Sequence, residues 1–185
     1  KFRTEDGYVT TFSQELPIVS DNAEISNAFE VTKYKKLSTT SSMVGKISFF
    51  GKTVTGLNDD VRISKRLNIP SSRLRGFQSG KVGPVENNDY IGGNYLSSLN
   101  FSATLPNIVQ GLDNLDVGVF IDAANVWGVD YDSTLDDRST IRSSTGVALN
   151  LLTPIGPLSF SFANALSQAS SDKTETFRFN LGTQF

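Results

Sequence analysis

Phe177-Arg178-Phe179-Asn180-Leu181-Gly182-Thr183-Gln184-Phe185 closes the sequence. Apolar side chains fall at 177, 179, 181 and 185, and polar or small ones at 178, 180, 182 and 184. A period of two gives a strand with one apolar and one polar face. A final strand that ends on an aromatic ring is expected of a transmembrane β-barrel. Its outer face meets lipid, its inner face meets water, and aromatics ring the interface.

Working back from this stretch, the whole sequence reads as all-β. Extended segments separated by turn residues recur, and no sustained i, i+3, i+4 apolar stripe is present. Nine strands are predicted, over roughly residues 7–18, 24–36, 43–55, 61–68, 91–105, 115–127, 139–152, 158–167 and 174–184. In the sixth, Val117, Val119, Ile121 and Ala123 share one face, and Asp116, Gly118, Phe120, Asp122 and Ala124 the other. In the seventh, Ile141, Val147, Leu149 and Leu151 oppose Arg142, Ser144, Gly146, Ala148 and Asn150; in the eighth, Leu158, Phe160 and Phe162 oppose Ser159, Ser161 and Ala163. The polar faces carry small residues and few long charged chains, which suits a crowded polar lumen. The early strands are less regular: Ile25, Phe29 and Val31 share a face on which Lys33 and Lys35 follow, at the water end. Many of these strands reach the roughly 9–11 residues that a tilted bilayer crossing needs. Short connections are expected near 19–23, 56–60 and 153–157, and long ones near 69–90, 128–138 and 168–173. The short 38–42 link and the medium 106–114 link depart from a strict alternation. The fold class is an antiparallel meander, an incomplete transmembrane barrel of about nine strands in one domain, 1–185.

Composition narrows the function. The 185 residues contain no Cys and no His, and the net charge is -2. Disulfides, thiolate metal sites and a Ser-His-Asp triad are excluded, and the usual general base is missing. No catalytic residue, metal or cofactor is expected, and a nucleic-acid partner is disfavoured. No run of about 18 apolar residues offers a transmembrane helix. The sequence begins at Lys1 without a leader of charged and apolar segments, so a part of something longer is expected.

The connection before the fifth predicted strand holds Ser72-Arg73-Leu74-Arg75-Gly76-Phe77. One reading is a solvated basic turn. The other starts from Asp122, an inward carboxylate that needs a partner in a partly dehydrated lumen. An Arg on a long loop folded into the barrel could supply one, through a two-pronged hydrogen bond.

Leu74-Arg75-Gly76-Phe77 resembles the Arg-Gly-Phe loop signature of the BamA-type outer-membrane assembly factors (the bacterial surface antigen family). Phe120-Ile121-Asp122-Ala123-Ala124 resembles their aromatic-x-Asp-x-Gly strand motif. Thr153-Pro154-Ile155-Gly156-Pro157-Leu158 is similar to the turn that enters their penultimate strand. Gly92-Gly93-Asn94 resembles the start of the strand after the loop. Phe177, Phe179, Leu181, Gly182 and terminal Phe185 are similar to the closing-strand signal. The motifs occur in the family's order across roughly 60–185.

The resemblance implies the C-terminal part of a sixteen-stranded barrel, its N-terminal strands and periplasmic POTRA domains absent. It implies a bacterial outer-membrane protein that folds and inserts other β-barrels through a lateral strand edge. Its implied partners are outer-membrane lipid, unfolded outer-membrane protein substrates and accessory lipoproteins. It implies that Arg75 inserts into the lumen and pairs with Asp122. Two positions depart from the family pattern. Ala124 stands where a Gly is usual, and Ser102, with Asn100 beside it, aligns with a Glu that contacts the loop Arg in many members. The alternatives are a polypeptide-secreting member of the same superfamily, a plain porin-like barrel, and a soluble β-sandwich binding module.

Other features have simpler readings. Gly111-Leu112-Asp113-Asn114-Leu115-Asp116 is a turn, its acidic spacing unlike an EF-hand. Asp130, Asp132, Asp136 and Asp137 make an acidic outer loop, solvated or weakly cation-binding. Trp127 reads as an interfacial anchor at a strand end.

Overall fold

The computed structural model describes residues 4–17, 23–38, 42–106, 114–135, 137, 139–154 and 156–181. Its strands are β1 (Gly7–Glu15), β2 (Glu24–Lys36), β3 (Val44–Gly56), β4 (Val85–Glu86), β5 (Asp89–Tyr90), β6 (Tyr95–Pro106), β7 (Leu115–Trp127), β8 (Arg142–Thr153), β9 (Gly156–Ser167) and β10 (Phe177–Leu181). Eight of them form one antiparallel sheet in the order β1-β2-β3-β6-β7-β8-β9-β10, and β4 and β5 form a separate two-stranded ribbon. Every strand of the large sheet pairs with its neighbour in sequence once that ribbon is set aside, as a meander requires.

The strand expected at 61–68 is not one. Ile63–Lys65 is a 3-10 turn, and Leu67 makes a lone antiparallel bridge with Gly93. The two-residue spacing of Val61, Ile63, Leu67 and Ile69 imitates a strand, but Val61, Leu67 and Ile69 are buried against the sheet while Ile63 is exposed. With that strand removed, 57–94 becomes one long connection, and the short link expected near 56–60 is its first part. The connections then sort by end. The β2–β3, β6–β7 and β8–β9 links share one end of the sheet, so the 38–42 and 106–114 links are not exceptions. The β1–β2, β3–β6, β7–β8 and β9–β10 links share the other, so the link near 19–23 lies at the long-loop end. The β8–β9 turn is tight: Thr153 pairs with Gly156. Gly156 sits at φ +122°, a conformation that favours glycine, and the Thr153 hydroxyl donates to its carbonyl at 2.6 Å.

One face of the sheet is apolar and exposed. Register carries it from strand to strand: Val31 opposite Phe49, Phe49 opposite Leu99, Phe101 opposite Ile121, Val119 opposite Val147, Leu149 opposite Phe160, and Phe160 opposite Phe179. Phe160 and Phe179 pack ring against ring at 5.1 Å on that face. Tyr95 and Trp127 stack at 5.8 Å where β6 begins and β7 ends, at the long-loop end. Six of the strands run 12 or 13 residues, enough to span hydrocarbon on a tilt.

The opposite face is covered by the 57–94 connection. Val54, Leu96, Ala124 and Val126 point inward from β3, β6 and β7 and pack with Val61, Leu67, Ile69, Leu74, Phe77 and Val82 of the connection. Towards the other end this face turns polar, with Ser48, Ser98, Asp122, Ser144 and Ser161 all buried. The apolar core therefore lies between the sheet and its own loop, and the bare face is the hydrophobic one. A bare apolar face of this extent needs lipid to cover it. The sheet is open: β1 and β10 each pair on one side only, and every residue of β1 is exposed.

Charge placed on the bare face of the full-length parent should meet hydrocarbon. Ile121→Arg, midway along β7, is expected to cost about 2–4 kcal/mol, read by urea unfolding from lipid vesicles. Ser102→Arg, on the covered face, should cost clearly less. Equal costs would reject the lipid-facing assignment.

Candidate functional site

Asp122 is brought inward by the alternation of β7 and has no exposed surface. Arg75 reaches it from the 57–94 connection. Its Nε donates to Oδ2 at 2.7 Å and its Nη2 to Oδ1 at 2.8 Å, the two-pronged geometry of a guanidinium on a carboxylate. The Arg75 backbone N–H adds a bond to Oδ2 at 3.1 Å, and Asn100 Nδ2 adds one to Oδ1 at 2.8 Å. Both oxygens thus accept two bonds each, which fills the acceptor capacity of an ionised carboxyl group.

Asn100 lies directly opposite Asp122 in the β6–β7 register. Its amide also donates to the Arg73 carbonyl at 2.7 Å, so it holds the loop backbone and the carboxylate together. Ser102 lies opposite Phe120. The clamp is therefore completed by a neutral amide at Asn100, and Arg75 pairs with a single carboxylate among the described residues.

The rest of the loop motif is fixed by packing. The Arg75 guanidinium carbon stands 3.5 Å above the centre of the Phe120 ring, a cation–π stack in a desolvated setting. That ring lies over Gly146, where an added Cβ would come within 2.7 Å of it. Gly76 sits at φ +89°, and a Cβ there would press on Ala163 at 3.1 Å and Ser144 at 3.3 Å. Leu74 and Phe77 are almost fully buried in the core under the loop. Of the closing-strand residues, Phe177, Phe179 and Leu181 lie on the bare apolar face; Gly182 and Phe185 fall outside the described residues. Ala124 packs its methyl group into the apolar core.

Sequence reasoning passed over several residues of this site. Arg73, two residues before Arg75, repeats the same device: it pairs with Glu30 of β2 at 2.8 Å and stacks on Phe50 at 3.8 Å. The argument that singled out Asp122 applies equally to Glu30, an inward carboxylate between outward Phe29 and Val31. Arg178, the polar member of the closing motif, donates to loop carbonyls. Arg142, with no exposed side-chain surface, pairs with Asp172 at 2.9 Å and with Asp137, and donates to Asn125 Oδ1 at 2.7 Å. Asp172 in turn accepts from the Gly83 backbone at 3.4 Å, which ties three long-end connections around one buried pair.

The acidic 128–138 loop is not simply solvated. Asp130 accepts from the Val61 backbone at 2.7 Å, from Asn94 at 2.9 Å and from Arg66, while Asp137 pairs with Arg142. Burial pushes the Asp130 carboxyl up, but the Val61 amide, Asn94 and Arg66 together outweigh it and hold it below the usual carboxylate range. Asp132 accepts from the Thr134 amide and hydroxyl in a local turn, and Asp136 lies outside the described residues. Among the described residues no cluster of three acidic side chains is arranged to hold a metal ion.

An open antiparallel meander with an apolar outer face and a long loop clamped to its inner face is a portion of an outer-membrane β-barrel. The chain belongs to the Omp85 superfamily, whose domain matches residues 1–185. Within that superfamily its likeness is to BamA. Over 60% of this chain it is 31% identical to the outer membrane protein assembly factor BamA of Neisseria meningitidis serogroup B. Over 62% of this chain it is 29% identical to the BamA of Neorickettsia risticii. The chain spans 17% and 16% of those two relatives. The crystal structure of BamA from Haemophilus ducreyi lacking POTRA domains 1–3 matches 94% of this chain and 38% of its own, with a TM-score of 0.85 and 26% identity.

The clamp should behave as a unit. In the full-length parent, Arg75→Ala strands a buried carboxylate, so a cost of about 3–5 kcal/mol is expected. Asp122→Ala should cost nearly as much, and the double variant little more than either alone. Urea unfolding of the four proteins in one detergent measures this, and fully additive costs would show that the residues act separately. Gly76→Ala should cost at least ~1 kcal/mol from its backbone conformation alone.

Proposed function

We propose that this chain is the C-terminal portion of the barrel of an outer-membrane assembly factor, which folds and inserts other β-barrel proteins through a lateral strand edge. The observation that carries the proposal is the long loop clamped to the inner face of the sheet by Arg75 on Asp122, in a wall whose last described strand is β10. A free edge presents unpaired N–H and C=O groups that can template an incoming strand. In hydrocarbon such groups find no water, so an edge that opens there has a strong demand for a partner strand. The Arg75–Asp122 clamp holds the loop against the inner face and so keeps the wall shaped while its edge is unpaired. The relatives named as outer membrane protein assembly factors support the same reading. Outer-membrane lipid, unfolded barrel proteins as substrates and accessory lipoproteins are the partners that follow from it.

The full-length parent, reconstituted in vesicles of bacterial lipid, should speed the folding of an unfolded outer-membrane barrel above the rate in empty vesicles. The shift in gel mobility of the unheated, folded substrate reports the rate. A photo-crosslinking residue at Phe179 should capture that substrate during the reaction. No acceleration and no capture would count against assembly and favour a secretion or porin role.

A further inference from the structure

The segment that leads into the closing strand changes partners halfway. Up to Glu175 it pairs with the motif loop: Gln78 N–H donates to the Lys173 carbonyl at 2.9 Å, Lys173 N–H to Lys81 at 3.0 Å, and Glu175 N–H to Gly76 at 2.9 Å. Phe77 and Thr174 form an antiparallel bridge within this ribbon. From Thr176 onward the partner is β9: Ala163 N–H donates to the Thr176 carbonyl at 2.9 Å, and Phe177 to Leu181 lie in register with Phe162 to Leu158.

Arg178 crosses back over this handover. It points inward from β10 with 13% of its side chain exposed. One guanidinium nitrogen, Nη2, donates to the Phe77 carbonyl at 2.6 Å, and the other, Nη1, to the Ser71 carbonyl at 3.3 Å. Those two carbonyls bracket the whole stretch that holds Arg73 and Arg75. Glu175, at 2.8 Å from Nη2, orients the fork from behind. The guanidinium of the closing strand thus grips both ends of the loop segment that grips Asp122 and Glu30.

We propose that Arg178 is a positioning residue that makes the seating of the motif loop and the pairing of β10 on β9 a single linked equilibrium. The edge strand cannot leave its register without loosening Arg75 from Asp122, and an unseated loop releases the edge. The proposal deepens the assembly reading above, since it assigns a control to the edge on which that reading rests. Backbone pairing alone would join the loop to residues 173–175; Arg178 extends the connection into the strand that faces the open side. A buried carbonyl deprived of a charged donor is costly to leave unsatisfied, so the two parts should move together or not at all.

Hydrogen exchange in the full-length parent, held in lipid nanodiscs, tests this. Arg178→Ala should raise exchange at residues 74–78 by about tenfold, the scale of a lost charge-assisted hydrogen bond. Linkage is reciprocal, so Arg75→Ala should raise exchange at 177–181 by a similar factor. Amides of β2 and β3 should be unchanged in both, and Arg178→Lys, which can still reach one carbonyl, should fall between. If Arg178→Ala does not insert, Arg178→Gln is read the same way. Loop exchange unchanged in the Arg178 variants would overturn the proposal, and so would a uniform rise over all strands. Coupled loosening in a parent protein that does not accelerate substrate folding would uphold the linkage and count against the assembly reading instead.

Discussion

A carboxylate with no exposed surface, Asp122, sets conditions that the rest of the structure meets. Left alone on the covered face its charge would cost several kcal/mol to keep there. Each neighbouring choice answers that demand. Asn100 stands opposite it on β6 and contributes an amide hydrogen. Arg75 arrives with a fork and its own backbone N–H. Gly76 lets the chain turn at a positive φ immediately afterwards, where an added Cβ would press on Ala163 and Ser144. Phe120 gives the guanidinium a π-face, and Gly146 gives that ring room. The long 57–94 connection exists in its observed path because one end of this network has to be delivered from outside the sheet.

A connection of that length is normally mobile, and ordering it opposes folding through chain entropy. Here it carries its own compensation. Val61, Leu67, Ile69, Leu74, Phe77 and Val82 bury themselves against four inward side chains of the sheet. Polar anchors then fix where this apolar layer sits. Arg73 reaches Glu30 on β2, Arg75 reaches Asp122 on β7, and the ribbon of residues 76–81 joins the approach to β10. The anchors are spread across the sheet, so the loop bridges its two halves.

The meander was legible in the sequence wherever one face is uniformly apolar. The β7 to β10 alternation reads cleanly because lipid imposes one rule on every outward position. Arg75 and Asp122 were legible through the need of a buried charge for a partner, together with a resemblance of motifs. The segment 61–68 was misread because a loop that packs against a sheet can share the strand's period of two without its hydrogen bonds. Arg73–Glu30 escaped notice because β2 carries lysines near its end, which blurred the assignment of its faces. Arg178 was hidden for a different reason. In a closing strand the eye follows the aromatic positions, and an inward polar residue between them looks like filler for the lumen. Its role depends on where a loop a hundred residues away is placed, and no local pattern encodes that.

A buried ion pair is a weak source of net stability, because well-packed apolar groups of the same volume would often serve as well or better. The clamp is better understood as a device for choosing one arrangement. Apolar contact is non-directional and would let the loop settle in several nearby positions. A bidentate fork on a carboxylate already held by Asn100 accepts only one. The same energetics make intermediate positions poor, since a half-withdrawn Arg75 leaves Asp122 charged and unpaired in a dry setting. On these energetics the fully seated loop is favoured over any half-withdrawn position. On the assembly reading proposed above, a wall whose edge opens would use that property, and the proposed role of Arg178 would carry it to the closing strand.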